Sequence, residues 1–396
     1  MTRPATLAIH AAAPPRAAGS PVTPPLVAAT SFHTDPDAVG FSAQDLGESA
    51  PHFYTRWGNP TVALLEQRLA ALEGGEAGLA FASGMAAATG LFLHRLQPGA
   101  HLLLSDVCYA GVAEFALDTL ARYGVAVSSV DMSDLDAVAA AMRPQTRLLH
   151  AEVPANPILR LADIAALAEI AHRGGAELSV DSTMATPIAT RPLALGADWV
   201  IHSLTKYACG HGDALGGAVI GRAAPVDALR KDALIHYGGA ISPFAAWLIL
   251  RGLETLPARM ALHESNARAV AQFLEGHPRI GKVYWPGLGS HPQHALARRQ
   301  MRNFSGMVSF TAPQDKALAR RFAERLRVVT YAVSLGKTQS LLFHIPSEDI
   351  LRSSFRLEGA RAEAYRAWTG SGTFRLSVGL EDSADLIEDL ARALEG

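Results

Sequence analysis

Between residues 77 and 220 the sequence repeats one unit, a short apolar run followed by a helical segment. That alternation restricts the chain more than any single motif. The apolar runs cover 77–81, 101–104, 125–130, 147–152, 176–180, 199–201 and 218–220, and helical segments at 111–123, 135–142 and 163–173 lie between them. The pattern predicts an α/β domain built on a mostly parallel sheet, whose ligands belong at the carboxyl ends of the strands. Two reactive residues follow such runs, Asp181 in Val180-Asp181-Ser182-Thr183 and Lys206 in His202-Ser203-Leu204-Thr205-Lys206-Tyr207.

The flanks read differently. Residues 1–60 carry Pro14-Pro15 and Pro24-Pro25 with little periodicity and are expected to form an extended arm crossing to a neighbouring subunit. A helix should begin at Asn59-Pro60, with Asn59 as N-cap and Val62, Leu65, Leu69 and Leu72 as its apolar stripe, and end at Gly74-Gly75. The long helical stretch 244–275 contains Pro257, where a kink or domain boundary is expected. The division is therefore an arm (1–60), a large domain (61–256) and a smaller C-terminal α+β domain (257–396), with strands at 282–285, 307–311 and 374–378 and helices at 315–326 and 383–394.

Composition narrows the partners. Thirty-five Lys and Arg against 37 Asp and Glu leave a net charge of −2, which implies neither nucleic acid nor an anionic membrane surface. Only Cys108 and Cys209 occur, without CxxC spacing, so no disulfide framework or zinc site is expected and a reducing cytoplasm fits. No signal peptide or spanning segment is expected, and His291 and His294 lack acidic partners for a metal.

The Asp181 and Lys206 arrangement suits pyridoxal 5′-phosphate (PLP). A lysine amine can form a Schiff base with the aldehyde, while a carboxylate keeps the pyridine nitrogen protonated so that the ring withdraws electrons. Ser83-Gly84-Met85 follows one strand and opens a helix, a place for a phosphate, to which Ser203 and Thr205 can add hydroxyls. Tyr109 stands where a ring could stack on the pyridine, and Tyr54 and Arg56, at i and i+2 on an extended segment, can clasp a phosphate together, including that of another subunit. Arg375 lies inside an apolar strand, where a buried guanidinium needs a carboxylate such as that of an amino-acid substrate.

In order along the chain stand Tyr54-Thr-Arg56 with Gly58-Asn59-Pro60-Thr61, Glu73-Gly-Gly-Glu-Ala77, Ser83-Gly84-Met85, Pro154-Ala-Asn156-Pro157, Val180-Asp181-Ser-Thr183, His202-Ser203-Leu-Thr205-Lys206-Tyr207, Val333-Ser334-Leu-Gly336 and Arg375-Leu-Ser-Val-Gly-Leu-Glu381. Through these the chain resembles the Cys/Met-metabolism PLP-dependent enzymes over nearly its whole length. The resemblance implies PLP fold type I and a homotetramer of two catalytic dimers. It assigns Lys206 to the Schiff base, Asp181 to the ring nitrogen, Tyr109 to stacking, and Asn156 to the cofactor hydroxyl. Gly84, Met85, Ser203 and Thr205 would hold the phosphate with Tyr54 and Arg56 of the neighbouring subunit. Ser334 and Arg375 would hold the substrate, Arg375 at its α-carboxylate.

Departures from the family pattern gather on the substrate side. Lys337-Thr338-Gln339 replaces a stretch that ends in glutamate, so a negative charge expected near the distal end of the substrate is missing at Gln339 and a lysine is added. Pro346-Ser-Glu-Asp-Ile-Leu351 replaces a Pro-Ala-x-Met-Thr-His run, Val112 stands where methionine γ-lyases carry cysteine, and Trp57 adds bulk near the entrance. The arm, most similar to methionine γ-lyases, favours γ-elimination to a 2-oxo acid and ammonia, with Lys206 moving protons and Tyr109 or Tyr54 as proton donor. The alternatives are γ-replacement on an O-acylhomoserine, elimination on an unusual substrate such as canavanine, and, less favoured, amino-group transfer.

Overall fold

The computed structural model describes residues 2–13, 17–34, 42–43 and 52–395. Seven strands form the large sheet: β1 (Ala77–Phe81), β2 (His101–Ser105), β3 (Ala126–Val130), β4 (Thr146–Glu152), β5 (Glu177–Asp181), β6 (Trp199–His202) and β7 (Gly217–Gly221). Their order is β1-β7-β6-β5-β4-β2-β3, parallel from β6 through β3, with β7 antiparallel to both its neighbours. Every residue of β2 and β7 is buried, as in strands covered on both faces, and this is why they read as unbroken apolar runs. The register sets Glu152 opposite Asp181 and Asp181 opposite Ile201, so the ends of β4, β5 and β6 meet along one edge.

The first large-domain helix, Pro60–Glu73, starts as its sequence predicts. Asn59 Oδ1 accepts from the Thr61 N–H at 2.9 Å, Pro60 fills the first turn, and Gly74 stops the helix at φ +77°. The arm departs from a fully extended form. Pro4–His10 is a helix that packs on Pro60–Glu73 and on Pro243–Glu275, with Ala8 fully buried. Further on, the Val27 N–H donates to Thr61 Oγ1 at 3.0 Å and the Trp247 indole N–H donates to Pro24 O at 3.1 Å. Pro14-Pro15 lies outside the described residues.

Pro257 does not interrupt the long helix, which runs unbroken from Pro243 to Glu275. An interior proline costs about 3 kcal/mol. Each buried leucine or methionine contributes about 1.5–3 kcal/mol, and Leu250, Leu253, Leu256 and Met260 around the proline are all buried. The packing prevails.

The second sheet contains β8 (Val283–Tyr284), β9 (Met307–Phe310), β10 (Thr330–Tyr331), β11 (Leu341–Pro346) and β12 (Gly372–Ser377), in the order β10-β11-β12-β9-β8. β10 and β11 are strands that the apolar pattern of the sequence does not predict. Helices Asp315–Arg325 and Ser383–Leu394 pack over this sheet, and Phe310 stacks on Phe374 with centroids 5.0 Å apart. The long helix ties the two sheets together: His263 Nδ1 meets Val378 O at 2.7 Å, and Asn266 Nδ2 donates to Gly379 O at 3.1 Å. That tie brings Arg375 on β12 to the strand ends of the large sheet.

Candidate active site

A cavity of about 220 Å³ opens at the carboxyl ends of β4, β5 and β6. Gly84, Met85, Tyr109, Val112, Asp181, Ser203, Thr205 and Lys206 line it, as the sequence had grouped them. Glu152, Thr183, Met184, Leu215 and Leu335 line it as well.

At one end the chain forms an anion cradle. Ser83 caps the helix Gly84–Arg95, its Oγ accepting from the Ala86 N–H at 3.0 Å. A Cβ on Gly84 would stand 2.8 Å from Ser203 Cβ, so glycine allows the helix start to lie directly against Ser203. The Ser203 N–H is fixed on Thr183 Oγ1 at 2.8 Å. Thr205 Oγ1 donates to Gly216 O at 3.2 Å and accepts from the Gly216 N–H at 3.1 Å, so this hydroxyl also closes its own loop.

At the other end lies Asp181. Its Oδ1 accepts from the Thr183 N–H at 2.9 Å. Burial raises its pKa, while the hydrogen bonds from Thr183 and the neighbouring His202 pull it back. A cationic ring nitrogen would offset the burial of this carboxylate. Asn156 fits the same occupant: Arg375 Nη1 donates to its Oδ1 at 2.9 Å, and since a guanidinium only donates, the Asn156 amide N–H groups remain for an anionic oxygen. An anion cradle, a half-buried carboxylate and a lysine in one cavity, with the Asn156 amide held beside it by Arg375 but not lining it, fit PLP.

Lys206 Nζ lies 3.2 Å from Ser334 Oγ. Burial lowers its pKa first, and the cations Arg375 and Lys337 lower it further, which enlarges the fraction of free amine. Arg375 Nη2 also donates to Ser334 O at 3.2 Å, and its buried Nε has no partner among the described residues. An orphaned guanidinium donor is suited to a substrate carboxylate. Ser334 holds φ +89°, a conformation rare outside glycine, so the loop supports strain where it presents its hydroxyl to Lys206.

Other candidates lie apart from this cavity. Tyr54 and Arg56 are together, the guanidinium 5.6 Å from the ring centroid, with Arg56 donating to Ile235 O. Arg56 and Trp57 line a separate groove with Ile235, His236 and Gly238. Trp57 packs on Phe53, centroids 5.5 Å apart. Gln339 is exposed and does not line the cavity. Among the described residues no group of three or more His, Cys, Asp or Glu could hold a metal, and no helix is long and apolar enough to cross a membrane.

Glu152 is the residue that sequence reasoning passed over. Its Oε2 accepts from the Tyr109 N–H at 2.5 Å and its Oε1 from the Asn156 N–H at 3.0 Å. The signal was present: like Asp181, it is an acid ending an apolar run, four residues before Asn156.

A mixed sheet of this topology, with a lysine, a carboxylate and an anion cradle gathered at its strand ends, defines a PLP-dependent enzyme of fold type I. The chain belongs to the Cys/Met metabolism PLP-dependent enzyme family, whose pattern it matches over residues 5–395. It is 44% identical to a canavanine γ-lyase of Pseudomonas canavaninivorans, covering 99% of this chain and 96% of that one. It is equally 44% identical to an L-methionine γ-lyase of Pseudomonas putida, covering 99% and 97%. A crystal structure of cystathionine γ-synthase from Xanthomonas oryzae pv. oryzae, in complex with cystathionine, superposes with a TM-score of 0.89 at 38% identity over 100% of this chain and 98% of that one. The chain is accordingly a PLP-dependent enzyme acting at Cγ of a small amino-acid substrate.

Proposed function

We propose that the enzyme catalyses γ-replacement on a homoserine ester whose acyl group ends in a carboxylate, with a thiol as the incoming nucleophile. The observation that carries this reading is Lys337. Its side chain lies across Gly212, where an added Cβ would stand 2.5 Å from Lys337 Cε, and it is near enough to Lys206 to lower that amine's pKa. No salt bridge to Lys337 is found among the described residues. A half-buried ammonium without a carboxylate attracts an anionic group and repels a cationic one. The likeness to cystathionine γ-synthase supports replacement. The competing reading is elimination on canavanine or methionine, favoured by the 44% identity to both lyases.

When bound, PLP supplies the electron sink for carbanion chemistry on the substrate. Arg375 takes the substrate α-carboxylate with its unpartnered donor, and Asn156 stays oriented by the same guanidinium. Lys206, held by Ser334, accepts the Cα proton as its free amine and returns it later. The Cγ–O bond breaks, the acyl carboxylate leaves with the electron pair, the thiol sulfur bonds to Cγ and the thiol proton is released. Tyr54 and Arg56 lie outside this chain's cavity, which supports a homo-oligomer in which they serve the site of the neighbouring subunit.

The test is a substrate panel: O-succinylhomoserine, O-acetylhomoserine, methionine and canavanine, with and without cysteine. Thioether formation fastest with the succinyl ester, with a roughly tenfold higher KM for that ester alone in Lys337→Met, is the expected result. Release of 2-oxobutyrate from canavanine or methionine as the fastest reaction, with no cysteine-dependent product, would overturn it.

A further inference from the structure

Glu152 and Asp181 end neighbouring parallel strands in register, so their side chains point to the same face of the sheet, about 4.8 Å apart at the backbone. Both line the cavity. A buried and a half-buried carboxyl so close cannot both be ionised at low cost, and a fold that needs one for a ring nitrogen has no evident need of the second. Yet Glu152 is held on both oxygens, by the N–H of Tyr109 and the N–H of Asn156. Those two residues carry the ring that lines the cavity and the amide that Arg375 holds beside it. One carboxyl thus sets the backbone beneath both.

We infer that Glu152 is a charged positioning residue of the cofactor site: it fixes Tyr109 and Asn156 through their backbone N–H groups and, once PLP is bound, carries the site's second negative charge. The inference depends on PLP binding and not on the choice of substrate.

The groups facing Glu152 decide its charge. Asp181 approaches from β5, Arg375 from β12, and Cys108 and Tyr109 from the turn after β2. Burial and Asp181 push the Glu152 carboxyl well above its ordinary range, while the two N–H donors and Arg375 pull it back. A protonated ring nitrogen beside Asp181 cancels the largest opposing charge. What remains is burial, set against a guanidinium and two N–H donors that favour the carboxylate. Glutamine in its place would accept one N–H and turn an NH2 group toward the other, so either Tyr109 or Asn156 would lose its anchor.

The experiment uses the full-length protein, stripped of cofactor and reloaded, as parent, Glu152→Gln and Glu152→Asp. Three quantities are read: the PLP dissociation constant, the pH midpoint of the visible cofactor band, and the circular dichroism of that band. Glu152→Gln should weaken PLP binding roughly ten- to hundredfold, the effect of losing one charge-assisted hydrogen bond, and diminish the dichroism. It should also lower the pH midpoint, because an anion favouring the protonated linkage has been removed. Glu152→Asp keeps the charge with a shorter reach, so it should restore the midpoint while binding PLP more weakly than the parent. An unchanged dissociation constant in both variants would overturn the positioning role. An unchanged midpoint in Glu152→Gln, or equal midpoint shifts in both variants, would overturn the charge. Should Glu152→Gln fail to fold, Glu152→Asp with parental PLP affinity would overturn the positioning role by itself.

Discussion

The strand ends of the large sheet and the loop 333–339 both border Lys206, yet they are built on opposite terms. Asp181 and Glu152 end, and Ser203 follows, strands in the middle of the large sheet, and each is held by neighbouring groups: Asp181 by Thr183, Glu152 by Tyr109 and Asn156, Ser203 by Thr183. The loop presents Val333 with 62% of its surface exposed, Ser334 at φ +89°, and Lys337 unpaired with any carboxylate among the described residues. The groups proposed to manage the cofactor therefore sit where packing over-determines them, and those proposed to meet the variable part of the substrate sit where a substitution disturbs little else. This division fits a chain whose sequence departures, at Lys337, Thr338 and Gln339, fall on the loop rather than at the strand ends.

The largest expected effect lies on the sheet side. Lys206→Ala should lower kcat by at least about a thousandfold, since in the proposed mechanism the amine is both the attachment point and the proton carrier at Cα. The visible band that borohydride bleaches in the parent should be lost from the protein. Substantial turnover in this variant would break the assignment of the chemistry to the strand ends. Next comes Arg375→Ala, which should reduce kcat/KM roughly a hundredfold, mostly through KM, by removing a charge-assisted carboxylate contact. An equal loss confined to kcat would move Arg375 from substrate binding to support of Asn156.

Sequence reasoning was most successful where periodicity is local. The seven large-sheet strands were placed within a residue or two, because each is a short apolar run between helices, and their ends brought Asp181 and Lys206 together. It failed where a distant partner decides the outcome. β11 contains Leu341, Leu342 and Phe343, a run too short to separate strand from buried helix, and only its pairing with β10 and β12 makes it a strand. Pro257 carries a breaker's signature that buried packing overrides. Glu152 needed the register against Asp181 before its acid stood out from any other at a strand end. For Gln339 the sequence supplies only a motif change, and a loop's motif does not say which of its side chains turn inward; in the structure this one is exposed.

Lys337 connects the two regions, because its ammonium lowers the pKa of Lys206. A lysine whose folded pKa is depressed offers free amine at a lower pH than the usual 10.5. Removing a neighbouring cation raises that pKa, so at pH 8 less of the amine is free. Lys337→Met should therefore slow PLP capture by the cofactor-free protein several-fold at pH 8 and move the plateau of the rate-against-pH curve upward. Stopped-flow absorbance measures both. A curve that coincides with the parent's would separate the loop from the lysine electrostatically.

The smallest effect is expected at Gln339, and its size sets how far the substrate region extends. The Thr338 N–H donates to Gly210 O at 3.0 Å, and Ser340 donates to Glu381 through its N–H at 2.6 Å and its hydroxyl at 2.8 Å. The backbone on both sides of Gln339 is thus pinned, while its side chain is in solvent. A carboxylate introduced there acts on Lys337 and the substrate mainly through water. At a separation of about 10 Å that interaction amounts to roughly 0.4 kcal/mol before salt screening, or about a factor of two. Gln339→Glu should consequently change the relative rates across the substrate panel by about twofold or less, and less still as salt is added. A change of tenfold or more that persists at high salt would mean that the substrate's distal group touches residue 339, and the selectivity surface would then run from Val112 and Leu215 out to the rim of the loop.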